Sequence, residues 1–471
     1  MNREAGPSSF ELARNRRRGK ILAVVGTLLF GVGVWGLWMD LEWIAQPFYA
    51  YAWWGYILVL DGFVALRRGH SLFTARRKHL IPVLIGSVTF WYFFELLNLR
   101  FKNWYYVGVY ESPVIEYPFS LVCFSTVLIG MFETFEAVTA LGLFRRWRGE
   151  PGRLPGWASY AVQAVGALMV TLSLVFPTYL APLVWGSLSF LLDPWNYRRG
   201  ARSILRDFEA RDFGLVARLL LAGLICGGFW ESMNFLAPQK WIYTVRGLEN
   251  FKLFEMPLLG FLGFPALALD GMAFYSLIAY WFLNNETWEH PADLRYGLRS
   301  HSAFSPRAFY RIIPIQLAFG ILVLVGVRQV NMASIRLDLW DLPSMTPALA
   351  TLLEAEGIRR PIRLVRETKD PERRRMLLSR SGLEPEEFQR LLEEAELYAF
   401  KGIGAAHGAL LREVGVTRVS ELADWSAEDL HSALVRIADQ EGARLPRLDM
   451  VRVWVLAARD RGFVMRTARG E

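Results

Sequence analysis

Two carboxylate–amide pairs recur with one spacing inside apolar stretches of this chain. Glu95 precedes Asn98 by three residues, and Glu231 precedes Asn234 by three residues. On a helix, this spacing places both members of a pair on one face. Charged groups in a membrane helix usually face the protein interior or a water-filled cavity. Each pair can therefore hold a cation, a proton or a ligand hydroxyl; alternatively, it ties helices together through hydrogen bonds.

The surroundings of the two pairs repeat as well, at an offset of 136 to 139 residues. The first pair is followed by Trp104, Tyr106 and Glu116, and the second by Trp241, Tyr243 and Glu255. The rings are expected either as a belt at the membrane surface or as the wall of a cavity for an elongated apolar ligand. The two acids precede a proline at a helix start, where capping also explains them. We take all ten residues as the predicted ligand-binding set.

Further carboxylates lie elsewhere in the apolar stretches. Glu133 and Asp270 fall near the middle of predicted helices and do not align between the two copies, so they are candidate catalytic acids or proton carriers. Asp61 and Asp193 lie near the arginines that follow them, and local ion pairs are expected there. The sequence predicts no metal site and names no cofactor.

The elements that must position these residues are apolar helices. The chain of 471 residues is 53% hydrophobic and 14% aromatic, above the average for soluble domains. Spanning a bilayer takes about 20 largely apolar residues. Nine stretches come close, at 20–44, 49–66, 80–100, 118–144, 157–176, 178–195, 214–236, 256–283 and 308–330. The sequence therefore predicts an all-α, polytopic membrane protein.

Charge predicts how these spans are oriented. The net charge of +8 lies in alternate loops of the apolar part, whereas residues after 332 are close to neutral. Short basic loops stay on the cytoplasmic side. We therefore expect an integral protein of the cell (inner) membrane with a cytoplasmic N-terminus. Nine crossings would leave the C-terminal domain on the outer side. The first apolar run is longer than a signal-peptide core of about 7–15 residues and is read as an anchor.

The repeated residues divide the chain into segments. Two tandem four-helix repeats are predicted, each with an even number of spans and therefore with the same orientation. The predicted segments are a basic N-terminal segment at 1–19, membrane repeat 1 at 20–144, a linker at 145–156, membrane repeat 2 at 157–283, an irregular polar linker at 284–306, a ninth transmembrane helix at 307–331 and a soluble all-α domain at 336–471.

The membrane part is similar to a known duplicated family. Its pattern is Trp104-x-Tyr106, a short loop and Glu116-x-Pro118, repeated as Trp241-x-Tyr243 and Glu255-x-Pro257. This order is similar to the duplicated lycopene cyclase domain of carotenoid synthesis. That resemblance implies a small duplicated bundle with buried acids that protonate a polyene. The acids of that family follow the proline, whereas both acids here precede it.

The C-terminal part resembles a second family. Phe400-Lys401-Gly402-Ile403-Gly404 resembles the turn of a helix-hairpin-helix module, and the stretch from about 342 to 460 resembles the tandem helix-hairpin-helix domain DUF4332, related to the hairpins of DNA polymerase beta and RuvA. The turn at Gly402 and Gly404 is a candidate phosphate or partner contact. Because DNA affinity depends on basic residues and this domain is near neutral, nucleic acid is not the expected partner.

Three functions remain open on the sequence. The leading hypothesis is an outer-side cavity that binds or processes an apolar, isoprenoid-like molecule or membrane lipid. The second is a proton- or ion-coupled transporter that uses the same acids. The third is a non-catalytic assembly protein in which residues 336–471 dock a protein partner or DNA. Whether the chain is an enzyme is left open.

Overall fold

The computed structural model describes residues 8–245, 252–301, 303–441 and 444–469, without the side chains of 441 and 461–469. Residues 1–7 of the predicted basic segment, 246–251 of the loop before the second Glu-x-Pro and the terminal residues 470–471 lie outside the described residues.

The membrane part is built from helices joined by short strands and turns. Its first half contains α1 (Ser9–Trp38), α2 (Glu42–Ala45), α3 (Phe48–Arg68), α4 (Leu72–Ala75), α5 (Leu80–Phe101), β1 (Trp104–Val107), α6 (Pro113–Phe124) and α7 (Thr126–Ala140). Its second half contains α8 (Ala158–Val175), α9 (Pro177–Leu180), α10 (Ser187–Arg199), α11 (Ile204–Glu209), α12 (Phe213–Leu236), β2 (Lys240–Tyr243), β3 (Lys252–Leu253), β4 (Met256–Pro257) and α13 (Gly263–Phe282). Helix α14 (Pro306–Val330) follows.

Among the described residues, eight helical segments are long and apolar enough to cross a membrane. They are Ser9–Trp38, Phe48–Arg68, Arg77–Phe101, Pro113–Ala140, Ala158–Val175, Phe213–Leu236, Leu258–Phe282 and Pro306–Val330. The predicted all-α class is confirmed, and the helices are compatible with a multi-pass membrane protein.

The predicted sixth span, 178–195, is wrong as a continuous helix. Helix α9 is followed by a 3-10 turn at Ala181–Val184, and α10 begins only after Gly186, whose φ of 90° is left-handed. A helix cannot continue through such a residue, and glycine is the residue that adopts this conformation without strain. The main-chain N–H groups of Gly186 and Ser189 at this break both donate to the carboxylate of Asp270, at 2.8 and 2.6 Å.

The arginine-rich loops gather at one end of the bundle, which we call the basic end. There the polar linker 284–306 contributes acids to arginines of both halves: Asp293 lies 2.7 Å from Arg68, and Glu289 lies 2.6 Å from Arg202. Among its described residues, the linker has a short 3-10 turn at Pro291–Asp293 and is otherwise irregular up to the start of α14. It closes the basic end through these ion pairs, of which Arg202–Glu289 is buried.

Helix α1 packs on α3 through small residues. Gly19, Gly26 and Gly33 recur every seven residues on its buried face, and a Cβ at Gly26 would lie 2.7 Å from the carbonyl oxygen of Gly55. Small residues let membrane helices approach closely enough for dispersion contacts between their backbones. Most of the remaining surface of α1 is apolar and exposed, as expected of a helix that faces lipid.

The C-terminal part is a compact set of helices. It contains α15 (Pro347–Ala355), α16 (Pro361–Glu367), α17 (Pro371–Ser381), α18 (Pro385–Ala399), α19 (Gly404–Glu413), α20 (Val419–Leu422), α21 (Ala427–Glu441) and α22 (Leu448–Arg469). Phe388, Leu391 and Leu392 lie buried on one face of α18, as their spacing predicts. The hydrophobic core of the C-terminal part also includes Tyr105 and Ile242 of the membrane part, so the two parts pack directly against each other.

Candidate functional site

Strands β1 and β2 form an antiparallel ribbon, with one strand from each predicted repeat. Trp104 pairs with Tyr243, and Tyr106 pairs with Trp241. The chain between α14 and the C-terminal helices lies beside β1, because Tyr106 donates its N–H to the carbonyl of Asn331 at 2.7 Å. The ribbon marks the end of the bundle opposite the basic end, which we call the ribbon end.

The two predicted amides hold the strands of the ribbon. The Asn98 side chain accepts from the N–H of Asn103 at 2.8 Å and donates to the carbonyl of Trp104 at 3.0 Å. The Asn234 side chain makes the matching bonds to the N–H and carbonyl of Trp241, at 2.9 and 3.0 Å. Both amides are fully buried, and these bonds satisfy backbone groups at the turn where helix becomes strand.

The two predicted acids hold aromatic rings. The carboxylate of Glu95 accepts from the indole N–H of Trp91 at 3.0 Å, the indole N–H of Trp104 at 3.2 Å and the phenol of Tyr106. Burial raises the pKa of Tyr106, and the adjacent Glu95 raises it further, so the phenol keeps its proton and remains a donor.

The second copy repeats this arrangement with fewer donors. The carboxylate of Glu231 accepts from the phenol of Tyr243 at 2.8 Å. Burial likewise raises the pKa of Tyr243, with Glu231 as the next cause. Both acids are completely buried, and the hydrogen bonds of each reach its Oε1. Among the described residues, Oε2 has no partner in either acid, so each carboxylate is only half compensated for the water that burial removes.

A cavity of about 80 Å³ lies at the ribbon end between the two halves. Its wall consists of rings, apolar side chains and a few polar groups: Tyr49, Trp91, Tyr106, Val109, Glu116, Tyr117, Phe119, Ser120, Cys123, Phe124, Val127, Trp230, Gln239, Lys240, Trp241, Leu324, Val327, Arg328 and Met332. The rings of Trp91 and Trp230 have centroids 5.4 Å apart, so the two halves meet in this wall. Of the predicted ligand-binding set, Tyr106, Glu116 and Trp241 line the cavity.

The other predicted ligand-binding residues stand behind this wall. Glu95, Asn98, Trp104, Glu231, Asn234, Tyr243 and Glu255 are absent from the lining, and the first six support the ribbon or its rings. The structure therefore brings the acid–amide pairs to the same end as the cavity, one layer away from its surface.

Glu116 fastens the two halves together at the cavity. Its carboxylate accepts from the side-chain amide of Gln239 at 2.9 and 3.1 Å, from the N–H of Tyr110 at 3.0 Å and from the hydroxyl of Ser120 at 3.2 Å. The sequence pattern marks Glu116 at a helix start but gives no sign of Gln239, because a lone glutamine in a loop carries no pattern.

The two candidate catalytic acids lie outside the cavity lining. Asp270 accepts the N–H groups at the start of α10, as described above, and so caps the broken sixth segment. Glu133 is 1% exposed, and its charged neighbours are Asp61, Glu136 and Arg76. Glu136 forms an ion pair with Arg76 at 2.7 Å.

The expected ion pairs of Asp61 and Asp193 are replaced by helix caps. Asp61 accepts from the hydroxyl of Ser71 at 2.8 Å and the N–H of Phe73 at 2.9 Å, at the start of α4. Asp193 accepts from the hydroxyl of Ser203 at 2.9 Å and the N–H of Ile204 at 2.7 Å, at the start of α11. Exposed N–H groups at a helix N-terminus attract a carboxylate, which explains the change of partner.

The turn at Gly402 and Gly404 packs against the ribbon of its own chain. A Cβ at Gly402 would lie 2.2 Å from a methyl carbon of Val107, and both glycines have positive φ. The carbonyl of Lys401 accepts from the phenol of Tyr105 at 2.8 Å, and its ammonium lies 2.7 Å from the carboxylate of Glu255. The contact that this turn makes is therefore intramolecular. Sequence reasoning selected the glycines and overlooked Lys401.

Comparison with known proteins finds a match for the C-terminal part alone. Residues 343–461 match the family model described as a domain of unknown function, DUF4332, which covers about a quarter of the chain. The match supports the predicted C-terminal domain. No curated protein and no solved structure matches the chain.

Proposed function

We propose that this multi-pass protein binds an apolar, chain-like molecule in the cavity at the ribbon end. The observation that carries the proposal is the wall itself: Trp91, Tyr106 and Trp241 face the space, and the buried carboxylate of Glu95 fixes the first two. Rings held in place by hydrogen bonds lose little freedom when a ligand arrives, which favours binding. An isoprenoid chain or an acyl chain has the matching polarity.

The register of the ribbon supports a duplicated architecture around this cavity. Trp104 corresponds to Trp241 and Tyr106 to Tyr243 in the predicted repeats. The pairs Trp104–Tyr243 and Tyr106–Trp241 therefore exchange under a two-fold rotation. Equivalent parts that meet in this self-matching way are typical of two-fold symmetry. Ligand sites of duplicated membrane proteins often lie between the repeats, as this cavity does.

The position of α6 and α14 suggests how a ligand enters. Both helices contribute to the cavity wall through Phe124 and Val327. Both helices also carry apolar side chains that are largely exposed, including Val114 at 81% and Leu322 at 71%. Such faces fit the hydrocarbon of a membrane. We therefore infer that a molecule from the surrounding hydrocarbon reaches the cavity sideways, past these helices.

A cavity-filling variant tests the proposal. Val327→Trp places a large ring into the space, so the full-length protein purified in mild detergent should lose the apolar molecules that mass spectrometry detects with the wild type. Leu322→Trp makes a similar change on the exposed face of α14 and should retain them. Equal retention by both variants and the wild type would exclude this cavity as the binding site.

A proton-coupled carrier is the second candidate, and the surroundings of Glu133 favour it. Buried acids in membrane helices are frequent members of proton relays. Glu133 lies beside Asp61 and Glu136, between the cavity and the basic end. Proton flux can be followed with a pH-sensitive dye in liposomes that contain the protein. Flux with the wild type that Glu133→Gln abolishes and Val327→Trp leaves unchanged would favour the carrier over the binding protein.

The third alternative, docking of a partner by the C-terminal domain, must use another surface than the Gly402–Gly404 turn. That turn and Lys401 are already engaged by Tyr105, Val107 and Glu255 of the same chain. The internal contact supports the expectation that nucleic acid is not the ligand of this hairpin.

A further inference from the structure

A second, wider depression adjoins the mouth of the cavity. It is lined by Tyr117, Val325, Arg328, Gln329, Met332 and Arg444. Three of these residues, Tyr117, Arg328 and Met332, also line the cavity, so the two spaces share a wall. The depression lies where α14 ends, at Val330, beside the first residues of the C-terminal part. One side of the mouth is therefore apolar and ring-lined, whereas the other carries two guanidinium groups.

These two arginines contact main-chain carbonyls rather than acids. Arg328 donates to the carbonyls of Tyr110 at 3.4 Å and Glu111 at 2.5 Å. One terminal nitrogen of Arg444 donates to the carbonyls of Arg328 at 3.2 Å and Gln329 at 3.0 Å. Among the described residues, neither forms an ion pair with a carboxylate. Each guanidinium has five N–H groups, so these contacts leave donors for an anion.

Among the described residues, the lining of the depression contains two cationic side chains and no acidic one. Arg447 lies nearby and is paired with Asp449 at 2.6 Å, so its charge is offset. Glu116 is the acid on the cavity side, and the charge of Arg328 acts on it. Arg447 also donates to the carbonyl of Val330 at 2.8 Å, so three guanidinium groups lie around the end of α14. Guanidinium groups bind phosphate and carboxylate through paired hydrogen bonds.

We propose that the cavity and the depression together bind one anionic lipid, with its phosphate headgroup between Arg328 and Arg444 and an apolar chain in the ring-lined cavity. This inference rests on the proposed function and specifies its ligand. The end of α14 marks the level at which an apolar helix meets the polar layer, and headgroup phosphates of a bilayer lie at that level. Basic side chains there attract anionic lipids.

Native mass spectrometry of the full chain in mild detergent tests the inference, with dioleoylphosphatidylglycerol as the anionic probe and dioleoylphosphatidylcholine as the zwitterionic one. The wild type should retain the anionic lipid preferentially. Each lost arginine near a lipid headgroup weakens binding by about fivefold, so Arg328→Gln with Arg444→Gln should reduce retention of the anionic probe by about twenty-five-fold. Retention of the zwitterionic probe should not change.

Single variants and a matched control separate this result from misfolding. Arg444 is exposed and lies outside the helices, so Arg444→Gln alone should keep the unfolding temperature while it weakens retention of the anionic probe. Arg390→Gln removes an exposed arginine of α18 that lines neither space, and it should behave as the wild type. Millimolar inorganic phosphate should not displace the lipid, because the chain contributes to its affinity.

The outcomes distinguish the two proposals. Equal retention of both probes by the wild type, or unchanged retention in the double arginine variant, would overturn the headgroup site and leave the cavity proposal standing. Displacement by inorganic phosphate would show that the arginines bind the anion alone. Retention of the anionic probe by Val327→Trp at the wild-type level would contradict a chain in the cavity, and with it the proposed function.

Discussion

The buried polar side chains of the membrane part mostly serve the main chain. Asn98 and Asn234 hold the ribbon, and Asp61, Asp193 and Asp270 cap helices. The sequence could identify these positions, because an acid or amide in an apolar helix costs free energy and needs a partner. It could not identify the partners, since an exposed N–H at a helix start depends on how the chain turns in space.

His407 gives a prediction at the same scale. It is 3% exposed on α19, and burial, followed by the charge of Arg444, lowers its pKa to about 4, from an ordinary value of 6.5. The unfolded chain therefore binds the proton more tightly. The stability of the C-terminal helices should fall as the pH drops from about 6.5 through 4, by at most about 1.4 kcal/mol per pH unit.

Hydrogen exchange of α19 and α22 in the full chain, corrected for the intrinsic effect of pH, measures the slope of stability against pH. His407→Gln keeps a donor for the carbonyl of Ile403 but cannot titrate, so the slope should flatten. His431→Gln, on α21 of the same domain, should keep the slope. A wild-type slope that survives His407→Gln would assign the pH dependence to another group.

At the scale of elements, apolar length predicted the helices well and their interruptions poorly. Eight of the nine predicted spans correspond to long apolar helices. The sixth fails because Gly186 takes a left-handed conformation that Asp270 stabilises from α13, and a contact so distant along the chain leaves no local pattern. For the same reason, the sequence placed Tyr106 and Trp241 in a site without predicting that their strands pair.

The contact between α1 and α3 yields a prediction for two glycines of one helix. A Cβ at Gly26 would lie 2.7 Å from a carbonyl oxygen and 2.8 Å from a main-chain nitrogen of α3, neither of which can move aside. Gly26→Ala should therefore destabilise the protein by about 1–3 kcal/mol. A Cβ at Gly31 meets nothing within 4 Å, so Gly31→Ala should be neutral or slightly stabilising.

Thermal unfolding of the two variants in one detergent checks this difference. A lower midpoint for Gly26→Ala alone is expected. If both variants melt like the wild type, α1 does not depend on close backbone contact with α3.

At the scale of the whole molecule, the C-terminal part covers a ribbon whose own register is two-fold. Tyr105 and Ile242 pair at the centre of the ribbon and enter the core of the C-terminal helices. Lys401 pairs with Glu255 of the second half, and among the described residues it has no equivalent on the first half. The molecule as a whole is therefore asymmetric, although the ribbon itself is two-fold. The resemblance to DUF4332 predicted the helices of this part, but a family pattern contains no information on the surface to which they dock.

Lys401 provides the prediction for this interface. Lys401→Met removes the cation that lies 2.7 Å from the buried carboxylate of Glu255 and leaves it, among the described residues, with Lys240 at 3.9 Å. A buried charge that loses its partner is costly, so docking should weaken by about 2 kcal/mol. Amide hydrogens of β1 and of residues 331–336 should then exchange roughly thirtyfold faster.

The control is Lys369→Met, which removes an exposed lysine of the same domain. It should leave exchange in β1 unchanged. Unaltered exchange in both variants would mean that the apolar contact of Gly402 with Val107 suffices to hold the domain in place.

The segment that leaves α14 has one mechanical consequence. Residues 331–336 form four main-chain hydrogen bonds with β1 and the residues just after it: Tyr106 N–H to Asn331 O, Ala333 N–H to Tyr106 O, Val109 N–H to Ser334 O and Arg336 N–H to Val109 O. The C-terminal quarter of the protein therefore cannot rotate freely about the end of α14. If this part reoriented, β1 would have to move with it, and so would Tyr106, whose ring borders the cavity.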